Sequence, residues 1–338
     1  MKYMSSLILL ILIISADPLS AQKKPFTDSI STLMARTNVP LLGLGIIESG
    51  KIKSVRLYGA LNGQTPPPLN TLFNVASLTK PITAMVALKL ANSGNLDLDE
   101  PLYHYWIDPD IKDDPRHLRL TTRIILSHRT GFPNWRDKQL AFRFDPGTGY
   151  GYSGEGFEYL RRALEAKFKT TLQHLADSLI FKPLNMQHTQ YAWDSRLDTS
   201  LFAQPCDSNG NRIYNAMHLE PNAADWLVTT LEDYTKFGVY MLQGGGLSPL
   251  LFSAMTTPVS AITPGGNEAM GLGWGILSNL PNREYILMHT GHDPGVSTLI
   301  FLLPQSQRGV IILTNADNGM KAMIPILRAQ LEMPDLGK

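Results

Sequence analysis

Ser77 and Lys80 stand three residues apart in the stretch Phe73-Asn-Val-Ala-Ser-Leu-Thr-Lys80, with Pro81 directly after. If a helix begins near Ser77, its hydroxyl and the Lys80 amine share one face, one turn apart. A serine hydroxyl is a weak nucleophile until a neighbouring base takes its proton. A lysine can be that base only where burial or a second cation brings its pKa toward neutrality. The chemistry open to such a pair is attack on a carbonyl carbon. Taken alone, Ser-x-x-Lys also fits an ordinary helix start capped by serine, and a second copy, Ser20 with Lys23, lies near the N-terminus.

Two further stretches change the weighing. Pro146-Gly-Thr-Gly-Tyr-Gly-Tyr-Ser-Gly154 comes second, and His289-Thr-Gly-His292 third, placed just after an expected strand and followed by Asp293-Pro-Gly295. With these three stretches the chain resembles the serine beta-lactamase and penicillin-recognising hydrolase superfamily, in its class C beta-lactamase, D,D-peptidase and esterase branch. Supporting phrases are Leu126-Ser-His-Arg-Thr-Gly131, Ala223 to Phe237, Gly271-Leu-Gly-Trp-Gly275 and Leu313-Thr-Asn315, all in the family's order.

The resemblance implies that Ser77 is acylated and that Lys80 helps to deprotonate it. It lands the family's Tyr-x-Asn tyrosine on Tyr152, whose phenol would shuttle protons between nucleophile, leaving group and incoming water. Whether Lys80 or Tyr152 is the true base stays open. The family's Lys-Thr-Gly or His-x-Gly strand lands on His289, Thr290 and Gly291, and the implied oxyanion hole is the backbone N–H pair of Ser77 and His292. Donors of that kind are each worth about 2.7–4 kcal/mol where one has been removed.

Two departures from the pattern bear on substrate. Gly154 stands where the family usually has asparagine, so the amide that contacts a substrate's acylamino group is missing. His289 replaces the lysine of the third stretch, and a histidine is mostly neutral at pH 7 unless a carboxylate raises its pKa. Both point away from beta-lactam hydrolysis and toward an esterase or peptidase.

Plainer readings exist for single residues. Tyr152 could be a packed aromatic beside a glycine-rich turn, and His289 a strand histidine, with Thr290-Gly291 admitting a substrate backbone. The side chain of His292 reads as structural or rim. Ser127 and His128 are neighbours on a helix and point apart, which reads as cap and packing. Trp274 reads as core and Trp135 as pocket wall. Gly151-Tyr-Ser153-Gly-Glu155 resembles a Gly-x-Ser-x-Gly nucleophile elbow, but the last glycine is missing and no strand precedes it.

The elements that must hold these residues can be read from periodicity. Residues 26–37 read as an amphipathic helix starting near Thr27. Leu42–Glu48 and Ile52–Gly59 read as two strands joined at Ser49-Gly50. A buried helix should run from Ser77 through Ala84–Ala91 and end at Ser93-Gly94-Asn95. Leu120–Leu126, Phe157–Phe168, Leu172–Ile180 and Asn222–Gln243 read as further helices. Gly273–Leu277, Glu284–Met288, Ser297–Leu303 and Gly309–Thr314 read as short strands, and about Gly319–Leu331 as a closing helix. Strands at both ends with helices between give an α+β sandwich: one antiparallel sheet built from both chain ends, flanked by helices, with an inserted all-helical subdomain.

Composition sets the outer limits. The chain has 338 residues, 43% of them hydrophobic, and a formal net charge of +1 from 30 basic and 29 acidic side chains. That is enough for a large core, and no charge run suggests a nucleic-acid partner. The eight histidines form no metal-binding motif, so no metal is expected and no cofactor is implied. Lys2, the apolar run Leu7–Ile14 and Pro18-Leu-Ser-Ala21 have the pattern of a secretory signal peptide over residues 1–21, too short to span a bilayer. The single cysteine, Cys206, cannot form an intrachain disulfide, which is compatible with a bacterial periplasm or exterior.

The expected protein is a leader followed by one domain at 22–338, its sheet part at about 22–78 and 240–338, its helical part at about 79–239. The expected function is an exported serine hydrolase acting through an acyl-enzyme on a small-molecule ester, a D-amino-acid peptide or a cell-wall fragment. Alternatives are a weak beta-lactamase or D,D-peptidase, and a non-catalytic protein that binds cell-wall peptide.

Overall fold

A computed structural model describes residues 29–214, 218–263 and 265–331. The expected leader at 1–21, the second Ser-x-x-Lys and the first turn expected at 26–28 lie outside the described residues. In chain order the elements begin with α1 (Ile30–Thr37), β1 (Leu41–Glu48), β2 (Lys51–Gly59) and β3 (Leu72–Asn74). A single 3-10 turn (Ala76–Leu78) leads into α2 (Thr79–Asn92), then α3 (Thr122–Leu126), α4 (Gly154–Phe168) and α5 (Leu172–Ala176). After these come β4 (Val228–Thr230), α6 (Leu231–Leu242), α7 (Pro249–Thr256), β5 (Ser260–Ala261), β6 (Glu268–Met270) and β7 (Gly275–Leu277). The chain closes with β8 (Ile286–Asp293), β9 (Val296–Leu303), β10 (Arg308–Thr314) and α8 (Gly319–Leu331).

Eight of these strands form one antiparallel sheet in the order β2-β1-β10-β9-β8-β7-β6-β5, so the first strands of the chain sit beside the last. The sheet separates two cores because alternate residues of a strand face opposite sides. Leu42, Leu44, Met288, Leu299, Phe301, Val310 and Ile312 pack under α1 and α8. Leu41, Ile47, Leu287, Ile300, Leu302, Ile311 and Leu313 pack with the helices on the other side. The β1–β2 turn at Ser49-Gly50 has both residues at positive φ, the twist that a two-residue hairpin needs.

Two expectations are corrected. Asn222–Gln243 is not one helix: residues 222–227 are irregular, Trp226 has φ 68°, β4 follows, and only α6 is helical. The backbone of 222–227 is spent sideways. The carbonyls of Ala223, Ala224 and Leu227 accept from Thr83, Lys80 and Val75 N–H, and Leu227 N–H donates to Thr79 Oγ1. Those lateral bonds compete with a helical ladder, and the hydroxyl of Thr230 caps α6 instead. The second correction concerns His289-Thr-Gly291, which lie inside β8 rather than after it. Pairing with β9 runs from Leu287–Leu302 to Asp293–Val296, and carries the strand past Met288 to a tight turn at Pro294-Gly295. Sequence reading also omitted β3–β6 and α7, all short elements.

The sheet reaches the turn that carries Ser77 through one glycine. A Cβ on Gly291 would stand 2.3 Å from the Val75 carbonyl oxygen and 2.2 Å from Thr298 Oγ1. Thr298 Oγ1 already donates to that carbonyl at 2.8 Å, so the space is occupied by a working contact. The missing side chain at Gly291 therefore lets the strand pack closely on the turn. Gly291→Ala should lower stability by about 1–3 kcal/mol, the cost of overpacking a filled site, measured by denaturant unfolding of both proteins. A variant as stable as the wild type would show that the turn can move away freely.

Candidate active site

Ser77 sits in the 3-10 turn ahead of α2, half-buried, while Lys80 on the first turn of α2 is buried. Lys80 Nζ donates to Ser77 Oγ at 3.0 Å and to the Ala224 carbonyl at 2.8 Å. Ala76, just before Ser77, has φ 49°, a left-handed conformation that costs a non-glycine residue energy and persists only when neighbours fix it. Here they do. Asn74 Oδ1 accepts from Ala76 N–H at 2.8 Å, Thr79 Oγ1 donates to the Ala76 carbonyl at 2.6 Å, and Thr298 holds the Val75 carbonyl.

Burial pulls the Lys80 pKa down to about 8, against the upward pull of Asp225, Asp293 and Glu158. The amine lies 4.7 Å from the centre of the Tyr152 ring. Burial raises the Tyr152 phenol above its ordinary value; interaction with Ser77 opposes the rise, and Asp225 and Asp293 add to it. His289 is buried on β8, its ring centre 6.2 Å from that of Tyr152. Burial first and then Lys80 push its pKa down to about 3, with the Thr290 carbonyl bond opposing. His289 is thus neutral at pH 7 and offers no fixed positive charge.

The three stretches from the sequence therefore meet: Ser77, Lys80, Tyr152 and His289 form one cluster between the sheet and the helices. His292 is exposed near the end of β8, Thr290 is buried beside His289, and β8 packs against the Ser77 turn. Sequence reasoning missed two acids. Asp225 is buried, and its carboxyl is raised above the usual range by burial and by the adjoining Asp293, with Lys80 opposing. Asp293 Oδ2 accepts from Asn74 at 3.1 Å. Asp225 was hidden within an expected helix, where Ala223 and Ala224 favour the helical reading.

Gly154 begins α4, directly beneath Trp135. A Cβ there would meet the indole at 2.7 Å, so the ring covers the place from which an asparagine would project. The loop carrying Trp135 is tied down on both sides. Ser153 Oγ donates to the Pro133 carbonyl at 2.7 Å, and Asn134 Oδ1 accepts from Gly154 N–H at 2.9 Å. Arg136 bridges Asp108 and Glu155, both buried, at 2.8 Å each.

The arrangement is that of a serine hydrolase of the beta-lactamase and penicillin-binding type. The family model described as Beta-lactamase matches residues 26–332, and the chain belongs to that family. Penicillin-binding protein 4* of Bacillus subtilis (strain 168) is 23% identical over 313 residues, covering 80% of this chain and 67% of that protein. The D-alanyl-D-alanine-carboxypeptidase/endopeptidase AmpH of Escherichia coli (strain K12) is 22% identical over 301 residues, covering 79% of this chain and 77% of that one. The solved structure of D-alanine carboxypeptidase AmpC from Burkholderia cenocepacia matches with a TM-score of 0.72 at 22% identity, over 89% of this chain and 97% of that chain. These similarities establish the beta-lactamase/transpeptidase-like fold with its antiparallel sheet and flanking helices.

Removing Arg136 would leave two buried carboxylates without their cation. Arg136→Ala should destabilise the protein by about 3–5 kcal/mol, the usual cost of breaking a buried pair, read as a shift in the urea midpoint at unchanged slope. A loss under about 1 kcal/mol would mean that the loop is held by its backbone bonds alone.

Proposed function

We propose that this protein is an exported serine hydrolase that works through an acyl-enzyme, with Ser77 as nucleophile. The observation that carries the reading is the Lys80 amine, 3.0 Å from Ser77 Oγ and drawn to a pKa of about 8 by burial. An amine at that pKa is neutral often enough at pH 7 to accept the hydroxyl proton. Ser77 Oγ attacks the substrate carbonyl, and the N–H groups of Ser77 and His292 receive the oxyanion. Ser77 N–H suits that task, since the first N–H groups of a helical turn have no partner within it. Tyr152 passes the proton on to the leaving group; its raised pKa keeps the phenol protonated and able to donate. A water then releases the acid and frees the serine.

Substrate class follows from what the site cannot do. Neutral His289 gives a substrate carboxylate no cation, and the indole of Trp135 fills the approach to an acylamino group. These features favour short-chain esters and uncharged acyl groups over penicillins. The names of the curated relatives keep D-amino-acid peptides of the cell wall in view as the alternative substrate. Among the described residues no helix is long and apolar enough to cross a membrane, which agrees with release into the periplasm or exterior after removal of the leader.

The mature protein should gain one acyl or phosphonyl mass on treatment with a p-nitrophenyl ester or a fluorophosphonate, and Ser77→Ala should gain none. Lys80→Ala and Tyr152→Phe should each slow acylation about a hundredfold or more. Near-normal rates in both would sink the mechanism, and no adduct on the wild type would favour a non-catalytic cell-wall-peptide binder.

Because the neutral amine is the reactive form, kcat/KM for the ester should climb about tenfold per pH unit below the Lys80 pKa and level off above about 8. A profile flat from pH 5 to 9 would remove Lys80 as the base.

A further inference from the structure

His128 has no part in the steps above, yet its ring lies against Tyr152 with centres 4.4 Å apart and planes at 28°. Phe157 and Tyr150 close two other sides, with ring centres at 5.3 and 6.3 Å. The residue is fully buried and has φ 54°, so its backbone is turned to bring the ring inward. Ser153 N–H donates to His128 Nδ1 at 3.1 Å. An amide N–H can only donate, so Nδ1 keeps its lone pair, and the proton of the neutral ring is on Nε2.

His289 has the opposite tautomer. Its Nδ1 faces the Thr290 carbonyl oxygen at 2.8 Å, and a carbonyl only accepts, so Nδ1 carries the proton and Nε2 is bare. Both Nε2 atoms are buried without a hydrogen-bond partner. The Tyr152 ring thus has two neutral imidazoles near it, one holding a spare donor and the other a spare acceptor. Burial, then Lys80 and His289, hold His128 far below the ordinary imidazole value. Tyr150 and Tyr152 complete the titratable groups around it, and neither is charged near neutrality.

We propose that His128 is the positioning residue for Tyr152: the neutral, Nε2-protonated ring fixes the plane of the phenol by stacking on it and fixes its backbone through the Ser153 amide. The tyrosine is then held on two sides, from its ring and from the residue that follows it, so its oxygen stays with Ser77 and Lys80. Unlike a cation, a neutral ring adds no positive charge beside Lys80. This rests on the serine-hydrolase reading, and the test separates the two.

His128→Asn is the informative variant. Its amide oxygen can stand where Nδ1 stands and accept from Ser153, asparagine tolerates a left-handed backbone, and only the stacking face and the Nε2 proton are lost. Acylation by a p-nitrophenyl ester in stopped flow should fall about tenfold to a hundredfold, the scale expected for a misplaced catalytic group, with KM within about twofold. His128→Gln, which also loses the Ser153 bond, should fall further.

Nitrogen-15 spectra of histidine-labelled wild type should show His128 protonated on Nε2 and His289 on Nδ1, neither titrating between pH 5 and 8. A folded H128N acylating within twofold of the wild type would overturn the proposal, as would a His128 signal, identified by its contact with the Ser153 amide, that is cationic or Nδ1-protonated at pH 7. That spectrum decides the matter even if both variants fail to fold. A wild type that takes no adduct overturns this inference together with the hydrolase reading, whereas an adduct with an unaffected H128N overturns this inference alone.

Discussion

Burying the Lys80 amine is the constraint on which the rest of the site depends. An ammonium taken out of water without compensation is so unfavourable that the group sheds its proton instead. Here compensation is partial: the Ala224 carbonyl and Ser77 Oγ accept its hydrogen bonds, and Asp225, Asp293 and Glu158 act on it through space. Among the described residues none of the three forms an ion pair with it, and Asp225 is itself drawn toward its protonated form, by burial first and then by Asp293. The result lies between a salt-bridged lysine, too basic to deprotonate a serine at neutral pH, and an isolated buried one. Tyr152 and Phe157 supply the apolar surroundings, with ring centres 4.7 and 5.9 Å from the amine.

Holding an amine in that state demands a rigid frame, and the fold provides it by joining distant parts of the chain at one turn. Val75 bonds to Leu227 through its N–H and to Thr298 through its carbonyl. Thr79 links Ala76 to Leu227, and Tyr234 of α6 donates to the Leu78 carbonyl at 2.7 Å. The Ser77 turn is therefore clamped between the sheet and the irregular segment 222–227. The left-handed Ala76 is tolerable because so many bonds specify it.

How much of this was legible in the sequence depends on the range of the interactions concerned. Strand β8 runs on through Asp293 because β9 pairs with it, whereas the hairpin β1–β2, α2 and strands β9 and β10 follow from local periodicity and turn residues, and they appear within a few residues of where the pattern puts them. Residues 222–227 do not, because their backbone is satisfied by Thr79, Thr83 and Lys80, more than a hundred residues earlier. No local pattern carries that information. The same holds for the site: Ser77, Lys80, Tyr152 and His289 were visible as motif residues, while Asp225 and His128 matter only through what the fold sets beside them. His128 was read as packing, and packing it is, but against Tyr152.

Gly154 and Trp135 are linked by geometry. A Cβ at the start of α4 would stand 2.7 Å from the far edge of the indole, so a larger residue at 154 requires the Trp135 ring to swing outward. The loop that carries the indole is fixed by the Arg136 bridges to Asp108 and Glu155 and by Asn134 on the Gly154 amide. Across the site, burial holds the His289 imidazole in its neutral form. Two frames thus meet at the site: bonds from the sheet and from 222–227 hold Ser77 and Lys80, and the Arg136 bridges hold the loop over α4. A change in the second frame can alter the surroundings of Ser77 without loosening the turn that carries it.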